Sequence, residues 1–295
     1  MKPMGDETTG VGSSKVAGGQ LGRFMVLGLP VDVVDMGGAV ERIVCWVEAG
    51  RREVEQGQPL ACGGGGRSAC QVVTLNPEMV MAARHDAELR EAILRAELVV
   101  ADGAGVVWAA LLGGAALGGR VTGVDLLDAC AQVAAERGYR LFLLGAAEGV
   151  ARQAAERLEA RYPGLRIAGA FAGSPAVAEQ SEICARIREA GADIVFVAYG
   201  APAQERWIAR TRGDLGAAVA VGVGGAFDFV AGRVPRAPLW MRRLGLEWLY
   251  RLWREPWRWR RMLALPRFTV AVLRAGWPRV WRALLWRRAE HTKGN

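Results

Sequence analysis

Short apolar runs alternate with longer amphipathic segments along most of this chain. The runs are rich in β-branched and aliphatic residues, which is typical of buried β-strands. They predict strands at Phe24–Leu27, Val72–Leu75, Leu98–Ala101, Arg140–Leu144, Arg166–Ala170, Ile194–Tyr199 and Ala218–Val223. Between them, apolar residues recur at helical spacing in segments such as 124–136 and 148–162.

This alternation predicts an α/β fold of Rossmann-like type, with a mostly parallel, twisted sheet and helices on both faces. In such sheets the ligand site lies at the carboxyl ends of the strands. The residues that follow each predicted strand are therefore the first candidates for function.

Two predicted strands end in residues that can bind a ligand or begin a helix. Thr74 and Asn76 close one strand, and Asp102 and Gly103 close the next. A hydroxyl, an amide and a carboxylate at one sheet edge can bind a sugar or a nucleotide, and a carboxylate there can act as a general base. Helix capping by Asn76, with Pro77 in the first turn, and by Asp102 remains an equal alternative for each.

The later strands end in glycine-containing turns. Gly145 precedes the 148–162 helix, whose N-terminus suits a diphosphate, although the spacing is not that of a dinucleotide fingerprint. Gly200 is followed by Gln204 and Glu205, which we expect to face the crevice from the first turn of a helix. The alternative for Glu205 is a capping role.

Composition excludes several classes of protein. The 295 residues are 52% hydrophobic and 23% charged, which excludes a disordered or collagen-like chain. Only two histidines and five scattered cysteines occur, so we expect no metal site, no cofactor and no disulfide framework. Cys62 and Cys70 are expected to be free thiols, as in a reducing compartment.

Three segments interrupt the strand and helix pattern. Residues 1–23 are rich in Gly and Ser and predict a flexible tail, without the apolar core of a signal peptide. Residues 51–70 contain four consecutive glycines and predict a surface insertion. The uncharged run 103–119 is marginal in length for a membrane span and predicts a buried helix and turn.

The C-terminal segment differs in charge from the rest of the chain. Residues 236–288 contain 14 Arg, two acids and eight of the eleven Trp, so their net charge is +12 against −4 for the remainder. Met241, Leu244, Trp248 and Leu252 predict one helix with an apolar stripe. Trp beside Arg favours the interface of an anionic membrane, and single-stranded nucleic acid is the alternative partner.

The ordered motifs together resemble one enzyme family, the WecG/TagA/CpsF glycosyltransferases, over about residues 24–268. The resemblance rests on Thr74-x-Asn76, Asp102-Gly103, Gly145, Gly200-x-Pro202-x-Gln204-Glu205, Gly222–Gly232 with Phe227-Asp228, Arg236-Ala237-Pro238, Glu247-Trp248-x-x-Arg251 and Glu255-Pro256.

This resemblance implies an inverting, metal-independent transfer of N-acetylmannosamine or a related sugar. The donor is a UDP-sugar and the acceptor a polyprenyl-diphosphate-linked sugar, in the synthesis of teichoic acid, exopolysaccharide or another surface glycan. Asp102 is implied as the general base, Thr74 as a second catalytic residue and Gln204 as a substrate-binding residue. The arginines implied to meet diphosphate groups are Arg251, Arg258 and Arg261.

These inferences predict a flexible tail over 1–23, a catalytic domain over 24–235 and a membrane-binding appendage over 236–289. We expect a cytoplasmic protein held peripherally on the inner face of the membrane, with self-association left open and no nucleic-acid partner. Two alternatives stay open, a non-enzymatic nucleic-acid binder that uses the C-terminal segment and a Rossmann-type oxidoreductase. The missing glycine fingerprint counts against the second.

Overall fold

The computed structural model describes residues 22–56, 68–256 and 259–275. The strands are β1 (Arg23–Val26), β2 (Leu29–Asp32), β3 (Cys70–Leu75), β4 (Leu98–Ala101), β5 (Arg140–Gly145), β6 (Arg166–Phe171), β7 (Ile194–Ala198) and β8 (Val219–Gly222). The helices are α1 (Met36–Glu55), α2 (Pro77–Ala82), α3 (Ala87–Arg95), α4 (Ala104–Leu112), α5 (Gly123–Arg137), α6 (Val150–Arg161), α7 (Val177–Ala190), α8 (Ala203–Thr211), α9 (Ala226–Val230), α10 (Leu239–Arg243), α11 (Glu247–Arg254) and α12 (Trp259–Met262). Residues 264–275 are helical as well.

The central sheet has six strands in the order β4-β3-β8-β7-β5-β6, and the paired strands run parallel. The predicted α/β fold is therefore confirmed. The predicted helices 124–136 and 148–162 correspond to α5 and α6, to within one or two residues at each end.

Helices cover both faces of this sheet because successive strand residues point in opposite directions. Val72 packs on one face with Ile43 of α1 and Leu126 of α5. Its neighbour Val73 packs on the other face with Leu89 of α3. Strands buried on both sides carry almost no polar residues, which explains why the sequence pattern located them well.

A hairpin that the pattern did not predict precedes the sheet. The predicted strand 24–27 ends one residue early, because Leu27 and Gly28 form a tight turn with φ values of 49° and 83°. The chain returns antiparallel as β2, which is only four residues long and contains Pro30. Proline is unusual inside a strand, and the short run gave no strand signal. Asp32 accepts a hydrogen bond from the Val99 amide at 2.7 Å and so ties the hairpin to β4.

The predicted single helix over 241–252 is wrong. The structure has α10 and α11 instead, separated at Gly245, whose φ is +72°. A Cβ at Gly245 would lie 2.5 Å from the Cβ of Ala104, so the chain turns where it meets α4. The apolar residues keep their helical spacing across this turn, so the spacing gave no sign of it. The turn is required by the contact with α4.

The predicted helix within residues 103–119 is present as α4, but the expectation that it is buried holds for one face only. Val106, Ala109 and Ala110 of α4 are buried, but Trp108 and Leu112 are 64% and 67% exposed. Within the described residues, no helix combines the length and apolar character needed to cross a bilayer.

Two other expectations concern the segment around residues 51–70. The α1 helix runs through Arg51 to Glu55, so the predicted insertion begins inside a helix. Cys70 is disulfide-bonded, so the expectation of a free thiol is wrong for this residue. Spacing along the chain does not show which thiols meet in space. Residues 1–21, 57–67, 257–258 and 276–295, and the predictions made for them, lie outside the described residues.

Candidate active site

A cavity of about 670 Å³ lies at the carboxyl ends of β4, β3, β8 and β7. The strand ends form its floor, and the segments 244–251 and 261–269 form a wall above it. Its polar lining comprises Thr74, Asn76, Glu78, Asp102, Arg120, Thr122, Tyr199, Gln204, Asp228, Glu247, Arg251, Arg261 and Thr269. The size suits a ligand such as a nucleotide-activated sugar.

Asp102 stands at the point where β4 gives way to α4. Its backbone amide donates to the Leu75 carbonyl at 2.9 Å, which extends the pairing of β3 and β4 by one residue. The N-cap of α4 is Gly103, and no side chain caps the helix. The capping alternative for Asp102 is therefore not realised, and its side chain lines the cavity.

The surroundings of Asp102 suit a base that works near neutral pH. Burial raises the pKa of Asp102 to about 7, because the carboxylate loses solvation by water. Arg120 lowers the pKa, Glu247 and Asp125 raise it, and Arg251 lowers it. A carboxylate with this pKa accepts a proton more readily than an ordinary aspartate does at the same pH.

The residues around Gly103 leave no room for a side chain at the start of α4. A Cβ at this position would lie 2.5 Å from the Pro77 Cδ of α2. The close approach of the two helix starts places Asn76 and Asp102 along one side of the cavity. The Asn76 side-chain oxygen accepts from the Met79 amide at 3.0 Å, so the capping alternative holds for Asn76.

Thr74 is 3% exposed and ties two strands together at the floor of the cavity. Its hydroxyl donates to the Gly222 carbonyl at 2.8 Å, across β3 and β8. Since the single hydroxyl proton is used there, Thr74 can offer a ligand only the lone pairs of its oxygen.

Gln204 joins two loops of the floor. Its side-chain oxygen accepts from the Gly200 amide at 3.1 Å and from the Gly224 amide at 2.9 Å. Its side-chain amide donates to Glu205 at 3.0 Å. Gln204 therefore fixes the turn after β7 against the turn after β8, and Gly200 and Gln204 both line the cavity.

Glu205 lies beneath the floor and does not line the cavity. It is 0% exposed and accepts hydrogen bonds at 3.0 Å from Gln71 as well as from Gln204. Burial raises its pKa to about 7, and the two hydrogen bonds lower it. Side-chain atoms of Gln204 and Glu205 occupy the space that a Cβ at Gly222 would need.

Gly145 is also outside the cavity lining. It ends β5, one strand beyond the four strands whose ends form the floor. Its φ is +107°, and a Cβ there would lie 2.8 Å from the Ala198 carbonyl carbon of β7. The need for glycine at this position is thus explained by packing between strands.

Arginines of the C-terminal segment face the floor from the wall. The Arg251 guanidinium approaches the turn after β8 so closely that a Cβ at Gly225 would lie 2.7 Å from it. The guanidinium also lies 5.0 Å from the centre of the Phe229 ring, and its Nε donates to Glu255 at 3.2 Å. Arg251 is thereby held in place beside the cavity.

Arg261 lies further out on the same wall. Its guanidinium pairs with both carboxylate oxygens of Glu78, on the first turn of α2, at 2.6 and 3.2 Å. The pair joins the C-terminal segment to the opposite side of the cavity. Arg258 lies outside the described residues.

A series of ion pairs attaches the C-terminal segment to the body beside Asp102. Arg236 pairs with Asp125 through two hydrogen bonds of 2.7 and 3.1 Å. Glu247 lies 3.7 Å from Arg236 and accepts a hydrogen bond from Arg120 at 3.0 Å. Arg120 and Glu247 both line the cavity, so the attachment forms part of the site itself.

Comparison with known proteins identifies the family. Residues 24–282 match the model of the glycosyl transferase WecG/TagA/CpsF family. The chain belongs to this family. It is therefore a glycosyltransferase, as the order of its motifs predicted, and the oxidoreductase and the non-enzymatic nucleic-acid binder are set aside.

Three relatives from the WecG/TagA/CpsF family have the same name. An N-acetylglucosaminyldiphosphoundecaprenol N-acetyl-beta-D-mannosaminyltransferase of Bacillus subtilis is 38% identical over 203 residues, which cover 69% of this chain and 78% of that protein. The protein of the same name from Bacillus spizizenii is 40% identical, with the same coverage. One from Staphylococcus aureus strain MW2 is 36% identical over 205 residues, which cover 69% of this chain and 80% of that protein.

The structure brings most of the predicted site residues of this family member together. Those that line the cavity are Thr74, Asn76, Asp102, Gly103, Gly200, Gln204, Arg251 and Arg261. Glu205 and Gly145 lie outside the lining, as described above. Glu205 lies beneath the floor, and Gly145 lies at the end of β5, against β7.

Sequence reasoning missed Arg120, Glu247 and Trp108 as site residues. Arg120 carries the first charge after the uncharged run 103–119, and that position was its only signal. Glu247 belongs to a motif that supported the resemblance, but nothing in its spacing shows that it reaches Arg120. Trp108 was assigned to a buried helix, whereas its ring borders the cavity.

Proposed function

We propose that this enzyme transfers N-acetylmannosamine from a UDP donor to N-acetylglucosamine carried on a polyprenyl diphosphate. The names of the relatives support the choice of the two sugars and of the lipid diphosphate. The observation that carries the proposal is the placement of Asp102 in a cavity whose opposite wall bears Arg251 and Arg261. Asp102 and the two arginines thus line the same cavity, whose size suits a nucleotide-activated sugar.

In the proposed reaction Asp102 acts as the general base. An acceptor hydroxyl attacks the anomeric carbon of the donor sugar, and its proton passes to the Asp102 carboxylate. The bond between the anomeric carbon and the diphosphate oxygen breaks, and UDP leaves. A single displacement of this kind inverts the configuration at the anomeric carbon. The raised pKa of Asp102, about 7, matches this role near neutral pH.

The leaving diphosphate gains negative charge, which the site can stabilise through its arginines. Arg251 and Arg261 carry forked donors that suit phosphate oxygens. Arg251 is already paired with Glu255, and Arg261 is paired with Glu78. These carboxylates fix the directions of the two guanidinium groups. Guanidinium groups held in place before the reaction stabilise developing charge without the cost of reorganisation.

A lipid-borne acceptor requires the enzyme to work at a membrane surface. We assign this contact to the C-terminal segment 236–289, on the cytoplasmic face. Its described part exposes Trp240, Trp253 and Trp259, at 60%, 73% and 53%, among many arginines. Indole rings at headgroup depth and guanidinium groups on lipid phosphates are typical of interfacial segments.

A donor screen tests the proposed function. UDP release is measured with three donors: UDP-N-acetylmannosamine, UDP-N-acetylglucosamine and UDP-N-acetylmannosaminuronic acid. Each donor is tested with and without a short-chain lipid-diphosphate N-acetylglucosamine. With UDP-N-acetylmannosamine we expect UDP release in the presence of the lipid acceptor and no release without that acceptor. Acceptor-dependent release with another donor alone would refute the assignment of the sugar. Release that is indifferent to the lipid acceptor would refute the proposed acceptor.

A further inference from the structure

One edge of α4 is apolar, exposed and free of charge. Trp108, Leu111 and Leu112 are 64%, 48% and 67% exposed, and we call these residues the α4 edge. No charged residue occurs from Gly103 to Gly119. The turn that follows the helix is exposed as well over 113–114. Large apolar side chains grouped in this way on a surface indicate an interaction site.

The helix of residues 264–275 packs alongside α4 and adds positive charge to this region. A Cβ at Gly105 would lie 3.5 Å from the Phe268 ring, and Phe268 shares a hydrophobic cluster with Val106 of α4. The helix exposes Val270 and Leu273, at 46% and 53%, together with Arg267 and Arg274. No acidic residue occurs over 259–275. Apolar side chains flanked by arginines without acids suit an anionic lipid surface.

The α4 edge also borders the opening of the active-site cavity. Trp108 lines the cavity together with Asp102, six residues before it, and it remains largely exposed. A second protein seated on this edge would cover Trp108, which lines the cavity. A bilayer seated there would instead supply the substrate, because the proposed acceptor carries its sugar on a polyprenyl chain.

We propose that the α4 edge, which lies outside the C-terminal segment 236–289 and beside its helix 264–275, inserts into the hydrocarbon boundary of an anionic bilayer as a further membrane contact. This inference rests on the proposed function for the nature of the acceptor. With nine residues, α4 is about 14 Å long, so it lies in the interface and does not span the membrane. The insertion places the opening of the cavity at the level where a lipid diphosphate is held.

The test is flotation of the full-length protein with vesicles of phosphatidylcholine and phosphatidylglycerol. The test variant is L111N/L112N, which leaves Trp108 and the cavity lining unchanged. The matched control is V54N/V177N, which alters two valines that are 64% and 71% exposed on α1 and α7. Because both leucines lose their apolar burial in the bilayer when asparagine replaces them, we expect vesicle partition to fall by roughly 30-fold for L111N/L112N and to stay unchanged for the control.

Activity separates this inference from the proposed function. L111N/L112N is expected to keep its UDP release with a water-soluble, short-chain acceptor and to lose most of it with a long-chain acceptor embedded in vesicles. Unchanged flotation of L111N/L112N would overturn the inference. So would loss of concentration-dependent self-association with unchanged flotation, since the edge would then join copies of the chain. Failure of the wild-type protein to release UDP would refute the proposed function alone, because flotation is measured without substrate.

Discussion

The floor and the wall of the cavity are held in place by different interactions. On the floor, Thr74 and Gln204 are 3% and 2% exposed, and their side chains bind backbone groups of neighbouring strand ends. On the wall, the side chains of Arg251 and Arg261 are 24% and 44% exposed, and both are paired with carboxylates. The floor is thus part of the folded core, whereas the wall is attached to it by ion pairs together with the buried Phe268.

This difference predicts which substitutions lower activity alone and which also lower the folding free energy. A change on the floor leaves buried backbone groups without partners, so it costs folding free energy as well as activity. A change on the wall alters exposed charges, whose contribution to stability is small. Asp102 belongs to neither group. Its side chain caps no helix, and its pKa depends on charges of both the body and the wall.

The largest effect is expected for Asp102→Asn. The amide cannot take a proton from the acceptor, so we expect UDP release to fall by roughly 10³-fold, within the range for loss of a general base. UDP affinity and the midpoint of thermal unfolding are expected to stay close to wild type. Stopped assays of UDP release and calorimetric UDP titration check both parts.

Asp128→Asn is the matched control for Asp102→Asn, since Asp128 pairs with Arg161 on the surface of α5. Near-normal turnover in Asp102→Asn would remove Asp102 from the role of base. Loss of UDP affinity equal to the loss of turnover would instead indicate a binding role.

The floor is tested by Gln204→Ala. The substitution leaves the amides of Gly200 and Gly224 without their acceptor, so we expect a loss of about 2–4 kcal/mol in the free energy of unfolding. Urea denaturation measures this, with Gln132→Ala on the exposed face of α5 as the control. An unfolding free energy within 0.5 kcal/mol of wild type, on the order expected for a surface change, would contradict a structural role for Gln204.

The wall is tested by Arg251→Gln. Loss of a charged hydrogen-bond donor to a diphosphate is expected to lower kcat/KM by roughly 10- to 100-fold, while the free energy of unfolding changes by less than about 1 kcal/mol. Arg254→Gln is the matched control, one turn along α11 and outside the cavity lining. If Arg251→Gln unfolds as readily as Gln204→Ala, the proposed contrast between wall and floor fails.

The sequence predicted the floor better than the wall, for a physical reason. Strands buried on both faces read as apolar runs, so their ends, and with them Thr74, Asp102 and Gln204, could be located from the pattern alone. The partners on the wall are set by contacts between distant segments. Nothing local to Glu247 shows that it reaches Arg120, 127 positions earlier in the chain.

The turn at Gly245 and the exposure of Trp108 show the same limit of prediction from sequence. Gly245 ends α10 because Ala104 leaves no room for a side chain, and the apolar spacing of 241–252 gave no sign of that contact. The exposure of Trp108 was equally hidden, since an uncharged helix reads the same whether it is buried or faces a membrane. Propensity and spacing describe a segment but not the surface that it meets.

The smallest and most specific effects concern the ion pairs that attach the wall beside Asp102. In the proposed mechanism Asp102 must be deprotonated, so activity is expected to rise with pH through its pKa, about 7. Glu247 raises this pKa and Arg120 lowers it. In Glu247→Gln the raising charge is removed and Arg120 loses its partner, so the acid limb of the pH profile should move to lower pH. In Arg120→Gln it should move to higher pH.

The profile of kcat/KM between pH 5 and 9 measures these opposite movements. We expect Glu247→Gln to retain a roughly two- to threefold larger fraction of its maximal rate at pH 6 than wild type, and Arg120→Gln a smaller one. The double variant should return the limb toward its wild-type position, because both charges are then absent. Two single variants that lose rate equally at every pH would show that the pair only attaches the wall. Opposite movements would show that the wall also sets the strength of the base.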